Sequence, residues 1–333
     1  MNRIRTLPGV VAVAALIASV HVQAAQPLAV AVDANSIRVR AGQASVLLYR
    51  YGAVPFKPYV KELYTPGGLN VLLDAPSDHL HHHGLMFAVA VDGVNFWEET
   101  PAAGRQRERS SAIVEMAQHG GGPSGGYTVG LVWTDATGRK ESLAEQRTIE
   151  VCQVDTLGAT VVTWRSRLSV GKERQSVTLS GSHYFGLGLR FVRAMDGGEF
   201  FNAAGKEGTI FRGEERLVRS DWCAYTATME GTPVTVAMLG HPSNPRHPTT
   251  WFTMAKPFAY VSATLNLHEE PLTIPSGKPL VLKYAVVVWD GKVDKERIDQ
   301  AYRWFTSEYW LPAKTLVAPT QASSLGNAKD KMP

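Results

Sequence analysis

The sequence predicts an all-β protein, a large antiparallel β-sandwich with one helix near its C-terminus. Three observations predict it. Segments of strand length alternate polar with apolar residues along most of the chain; 30 glycines and 19 prolines punctuate them; and a helical period occurs convincingly only once. Ser36-Ile37-Arg38-Val39-Arg40 alternates strictly, and Ser45–Arg50 is a short apolar run. Tyr127–Trp133 leads into the turn residues Thr134-Asp135-Ala136-Thr137-Gly138. Gln146–Val151 and Ala159–Leu168 read as antiparallel neighbours, with Trp164 on the face opposite Arg165 and Arg167. Thr232–Leu239 and Leu280–Trp289 read as late core strands. After Val293, Asp294 is placed to cap a helix whose Ile298, Ala301, Tyr302, Phe305 and Tyr309 share one face.

The N-terminus is expected to be an export signal over residues 1–24. Arg3 and Arg5 form a positive start, Leu7 to Val20 is almost wholly apolar, and Val22-Gln23-Ala24 suits a signal peptidase. The apolar run is shorter than the roughly 20 residues a membrane span needs. The mature protein is therefore expected in the periplasm or outside the cell, with no membrane span. Residues 25–311 are expected to form one domain, because no linker composition interrupts them, and the Ala-, Ser-, Lys- and Pro-containing tail 312–333 is expected to be disordered. The formal charge of +4 falls once Arg3 and Arg5 leave, and no basic run or basic helix provides a nucleic-acid surface. Cys152 and Cys223 are either a disulfide or two buried thiols.

The densest chemical feature is Asp78-His79-Leu80-His81-His82-His83. In an extended chain His79, His81 and His83 would share a face, within reach of one ion or one sugar ring. Imidazole binds Zn, Cu, Fe or Ni and also titrates nearest neutral pH. A polar loop whose histidines only bond each other is the bland alternative. A second segment, Gly240 to Pro248, holds His241, Asn244, Arg246 and His247 between three prolines; such stiff polar loops carry binding groups. In a third, His183 and Arg190 flank the glycine-relieved run Gly186-Leu187-Gly188. Trp97-Glu98-Glu99, Asp221-Trp222 and Trp251 place flat aromatic faces beside acids, the pairing of sugar-binding clefts, although each tryptophan taken alone is as readily a core residue. His268-Glu269-Glu270 is a further source of a carboxylate. No Gly-x-Ser-x-Gly, reactive-cysteine context, phosphate loop or His-Glu-x-x-His helix is present.

The run Tyr59–Gly68, the His79–Gly84 cluster, Asn95-Phe96-Trp97, Phe185–Arg190, Asp221-Trp222-Cys223 and the His241–Pro248 loop with Trp251 together resemble the exported bacterial PmoA-like family. The resemblance runs in order from Tyr59 to Gly291, with Leu80 where that family often has Pro. The family's label implies a subunit of a membrane-embedded methane oxygenase and hence a metal-dependent oxidase. That does not fit a chain without membrane spans, nor one whose His21 could become N-terminal only by cleavage after Val20. The resemblance also implies a large β-sandwich of the galactose-mutarotase kind, acting on sugars with His and carboxylate pairs and no organic cofactor. The function expected on these grounds is an exported carbohydrate-active hydrolase, lyase or epimerase on a sugar or sugar acid. His79, His81 and His82 would be its acid–base groups, Glu62 or Glu270 the partner carboxylate, Asn244 and Arg246 the clamps with His241 and His247 beside them, and Trp97 or Trp251 the stacking platform. His183 and Arg190 complete the expected substrate contacts. A non-catalytic glycan-binding module is the alternative. A divalent metal stays open, with His79, His81 and His83 as its ligands.

Overall fold

The computed structural model describes residues 26–119, 122–171 and 173–307. The expected signal segment 1–24, the tail 312–333 and Tyr309 lie outside the described residues. Two antiparallel sheets face each other. In one, ten strands run in the spatial order Leu28–Val32, Ser36–Ala41, Ala44–Arg50, Tyr59–Leu63, Leu85–Ala88, Gly186–Arg190, Tyr260–Thr264, Thr250–Met254, Glu215–Arg219 and Thr209–Arg212. In the other, eight strands run Glu199–Asn202, Trp222–Met229, Thr232–Gly240, Leu280–Asp290, Ala159–Val170, Glu141–Val154, Gly122–Thr134 and Arg105–His119. A smaller sheet pairs Leu272–Pro275, Ser176–Ser180, Ala90–Val91 and Val94–Asn95. The fold is therefore an all-β antiparallel sandwich, and its one α-helix among the described residues is Lys295–Ser307. No described helix is long and apolar enough to cross a membrane.

The strand Leu280–Asp290 explains the layering. Leu282, Tyr284, Val286 and Val288 point into the core between the two large sheets, whereas Ala285, Val287 and Trp289 point the other way. Side chains alternate across a strand, so a strand apolar at nearly every position must be covered on both faces. The second cover is the helix, which buries Ile298, Ala301 and Phe305 against Ala237, Leu239, Ala285 and Val287. Its start is fixed by Asp294, whose Oδ1 accepts from Arg297 N at 2.9 Å. Gln146 and its neighbours do pair with Ala159–Val170, Gln146 standing opposite Arg167.

The same alternation separates the cysteines. Cys223 faces the core between the sheets and Cys152 faces the helix side of the eight-stranded sheet. Both are buried free thiols, and burial raises Cys223 well above the ordinary thiol range.

Candidate functional site

The His-rich segment is not extended. Pro76, Ser77 and Asp78 start a turn in which His79 N donates to Pro76 O and His82 N to His79 O, each at 2.9 Å. The turn gathers His79, His81 and His82: ring centroids lie 4.7 Å apart for His79–His82 and 4.6 Å for His81–His82. It also sends His83 elsewhere. His83 Nδ1 lies 2.7 Å from Asp74 Oδ1 and its Nε2 3.0 Å from Glu99 Oε1. Both ring nitrogens are thereby used, so the expected ligand set His79, His81 and His83 does not form. No group of three His, Cys, Asp or Glu side chains among the described residues is arranged to hold a metal ion.

Around the three gathered imidazoles is a cavity of about 240 Å³ lined also by Glu98, Tyr184, Arg212, Glu215, Phe252, Met254, Phe258 and Tyr260. His81 Nδ1 stands 3.6 Å from one Glu98 carboxylate oxygen, and the Tyr184 hydroxyl 3.5 Å from the other. Burial lowers His81 below the ordinary histidine value despite the pull of Glu98. His82 is pushed down to about 2, by burial first and then by His81, His79 and Arg190. Burial, reinforced by Glu98, raises Tyr184, so its phenol keeps its proton. Glu215 accepts from Arg212 Nη2 at 2.7 Å and lies 3.0 Å from His183 Nε2.

Two hydrogen-bonded structures carry this arrangement. Asp78 tethers the turn, with Oδ2 accepting from Arg190 Nη2 at 3.2 Å and standing 3.2 Å from His79 Nδ1. The Arg190 guanidinium lies 3.3 Å above the ring of Phe258, a cavity wall. On the other side, Lys57 Nζ donates to Glu99 Oε1 at 2.6 Å, and Asp74, His83, Glu99 and Lys57 form a charged network next in sequence to His82 and Glu98. Burial opposes charging His83, but bonds to Asp74 and Glu99 outweigh it and its pKa is raised. Adjacent histidines are thus driven in opposite directions by what each touches.

Of the expected site residues, His79, His81 and His82 line the cavity, while His183 backs it through Glu215 and Arg190 through Asp78 and Phe258. The others do not line it. Glu62 is engaged by the Tyr64 hydroxyl at 3.1 Å. Arg246 caps backbone carbonyls of Leu265, Asn266, Glu270 and Pro271, and Glu270 stands 3.5 Å from it. Asn244 is held by both backbone groups of Lys283, His241 by Ser243, and His247 stands 3.2 Å from Asp221. The stiff loop is therefore occupied with its own chain rather than with the cavity. Trp97 and Trp251 are fully buried, Trp97 stacked on Phe185 and Trp251 donating to Ser220 O at 2.8 Å; neither offers a face to a ligand. The carboxylates that do line the cavity are Glu98 and Glu215, and the aromatic walls are Tyr184, Phe252, Phe258 and Tyr260. Glu98 was signalled by its place beside Trp97. Arg212, Glu215, Phe252, Met254, Phe258 and Tyr260 carried no local mark.

Residues 36–303 match the sequence pattern described as a family of unknown function, DUF6807. The chain belongs to that family. The match corrects the resemblance to the PmoA-like family: the segments from Tyr59 to Gly291 that suggested it all lie within the DUF6807 match, and the oxidase reading drawn from the label goes with it. No curated protein matches this DUF6807 chain. Among solved structures it is similar to the galactosidase domain of the alpha-galactosidase-sucrose kinase AgaSK, with a TM-score of 0.45 at 10% identity over 79% of this chain and 42% of that one. It is also similar to the alpha-galactosidase of Lactobacillus brevis, with a TM-score of 0.43 at 6% identity over 83% and 41%. A third is the GH36 alpha-galactosidase AgaA of Geobacillus stearothermophilus, with a TM-score of 0.44 at 12% identity over 84% and 42%. The chain spans about two fifths of the length of these proteins. The likeness is distant.

Gly188 fixes the floor of the cavity. A Cβ there would fall on the Tyr260 hydroxyl and within 2.9 Å of the Trp97 ring. Both rings are fully buried, so neither can swing into solvent. Gly188→Ala is expected to cost about 1–3 kcal/mol through overpacking and to displace Tyr260 from the cavity wall. Urea unfolding checks it; a variant within about 0.5 kcal/mol of wild type would show that the floor yields freely.

Proposed function

We propose that this is an acid–base enzyme acting on a sugar or sugar acid, with the cavity around His81, Glu98 and Tyr184 as its active site. The observation that carries the reading is the pairing of a depressed imidazole and a protonated phenol on the two oxygens of one carboxylate, at the wall of a cavity of about 240 Å³. Depressed below its ordinary value, the His81 imidazole is neutral at pH 7 and ready to accept a proton. Tyr184 is held as a donor. Glu98 bridges the two, steadying the imidazolium that forms when His81 takes a proton. His82, pushed down to about 2, is too weak a base to shuttle protons near neutrality. It serves better as a neutral hydrogen-bonding group, as neutral imidazoles do in other acid–base sites. Arg212 and Glu215 supply a fixed charged pair for hydroxyl or carboxylate groups of the ligand.

A hydrolase, lyase or epimerase step each needs such a proton acceptor and donor, and the size of the cavity suits one sugar ring. Export to the periplasm or beyond, where polysaccharide fragments are met, is part of the same proposal. The test is turnover on a panel of neutral and acidic saccharides by wild type, His81→Gln and Tyr184→Phe. Each variant is expected to lose about 10²–10⁴ in kcat, the usual worth of a positioned acid or base. Saccharide affinity within a few-fold of wild type, with no turnover by wild type itself, would favour a glycan-binding module. Turnover preserved in His81→Gln would remove His81 from the chemistry.

A further inference from the structure

The strand Thr209–Arg212 is the edge of the ten-stranded sheet, and all four of its residues are exposed. It nevertheless carries Ile210 and Phe211, 57% and 47% exposed. Its pairing is irregular: Ile210 stands opposite Arg216 and Arg212 opposite Glu215, so Phe211 is the extra residue of a β-bulge. A bulge re-aims one side chain. Here it lays the Phe211 ring on the His183 ring at 3.7 Å and 23°, with the edge of His268 at 5.7 Å. His183 is itself fixed, 3.0 Å from both Ser182 Oγ and Glu215 Oε2. Glu215 and Arg212, next to this stack, line the cavity. One face of Phe211 is thus backed rigidly by an imidazole while the ring keeps about half its surface in solvent, beside the cavity mouth.

We propose that Phe211 is a stacking platform for a second sugar ring, adjoining the cavity that takes the first, so that the ligand is an oligosaccharide. The inference rests on the reading of the cavity as a saccharide site. Three features support it. The cavity is smaller than the roughly 300–1,000 Å³ of most ligand pockets, so a longer chain must continue outside it. Pyranose C–H faces stack on flat rings, and the platform expected from Trp97 or Trp251 is unavailable because both are buried. A large aromatic at a sheet edge is an aggregation hazard that natural edges avoid, which makes its exposure beside a polar cavity informative.

The experiment is isothermal titration of the intact protein with glucose, galactose, mannose and galacturonic acid, each as monosaccharide and as trisaccharide. For the sugar recognised, the trisaccharide is expected to bind roughly tenfold tighter, the upper end of what one aromatic contact supplies. Phe211→Ala should shrink that gain to about threefold or less while monosaccharide affinity is unchanged; Phe211→Trp should keep it. Ile210→Ala, on the same exposed strand, should behave as wild type and controls for loss of the edge. A chain-length gain that persists in Phe211→Ala, or a monosaccharide that binds as tightly as its trisaccharide, overturns the platform and leaves the cavity reading standing. Binding of no saccharide by wild type overturns both.

Discussion

Arg147→Met is expected to destabilise the protein by about 3–5 kcal/mol, the cost of breaking a buried ion pair from one side. Arg147 and Glu145 both have fully buried side chains in the core between the sheets. They stand two apart on Glu141–Val154 and so share a face. Arg147 donates to both Glu145 oxygens, at 2.9 and 2.8 Å, and to the Tyr49 hydroxyl, Pro58 O and Gln106 Oε1. Glu145 also accepts from Trp133 Nε1 at 2.9 Å and Ser166 Oγ at 2.6 Å. Every lone pair and proton of the pair thus has a partner, which is the condition for a buried charge to be tolerated. Removing the guanidinium leaves a carboxylate in an apolar core with two weaker donors, and takes the Arg147 donor from Pro58 O, beside the facing sheet, and from Gln106 Oε1 on its own sheet. The double variant Glu145→Gln with Arg147→Met removes both charges and should cost clearly less than the sum of the singles. Equilibrium unfolding in urea gives all three values. A single-variant cost below about 1 kcal/mol would mean that the site hydrates on mutation and that the network does not lock the sheets together.

What could be read from the sequence and what could not follow from the range over which each signal acts. Leu280–Trp289 was legible as a core strand because period and composition are local; that both its faces are covered emerges only from the fold. The histidines at 79, 81 and 82 were legible as a cluster for the same reason. Their geometry departs from the extended chain that alternation implies because Pro76, Ser77 and Asp78 start a turn, and the turn divides His83 from its neighbours. Tryptophan beside an acid suggests a platform, yet in the bend after Asn95, whose Oδ1 accepts from Trp97 N and Glu98 N, Trp97 is buried and Glu98 lines the cavity, so the acid is the half that reaches it. Arg246 looks like a clamp because its loop is stiff, but it spends its donors on the carbonyls of Leu265, Asn266, Glu270 and Pro271, a neighbouring segment that no spacing within the loop reveals. Glu215 meets the His79–His82 turn only through the order in which distant strands pair. No spacing within one segment encodes that.

The histidines also set how the fold responds to acid. Burial holds His82 at about 2, against roughly 6.5 in the unfolded chain. Between those values the unfolded chain binds a proton that the native state refuses, so stability falls as pH drops below about 6.5. His81 and His183 are lowered too, and His241 is pushed down to about 4, so they act in the same sense. His83 acts oppositely: raised by Asp74 and Glu99, it contributes stability that is full below the ordinary histidine value and lost as pH rises through its folded one. Several lowered groups against one raised group give a net loss on acidification. His82 alone accounts for about 2 kcal/mol at pH 5 relative to pH 7, at 1.36 kcal/mol per pH unit below 6.5. His82→Phe keeps a ring between His79 and Tyr260, which it now contacts at centroid distances of 4.7 and 5.1 Å, but cannot bind a proton. The variant should therefore lose less stability than wild type between pH 7 and pH 5, by about that amount, whatever its stability at pH 7. Unfolding free energies at several pH values decide it: parallel curves for the two proteins would mean that His82 takes up its proton in the folded state, and the neutral imidazole assigned to the cavity wall would have to be given up.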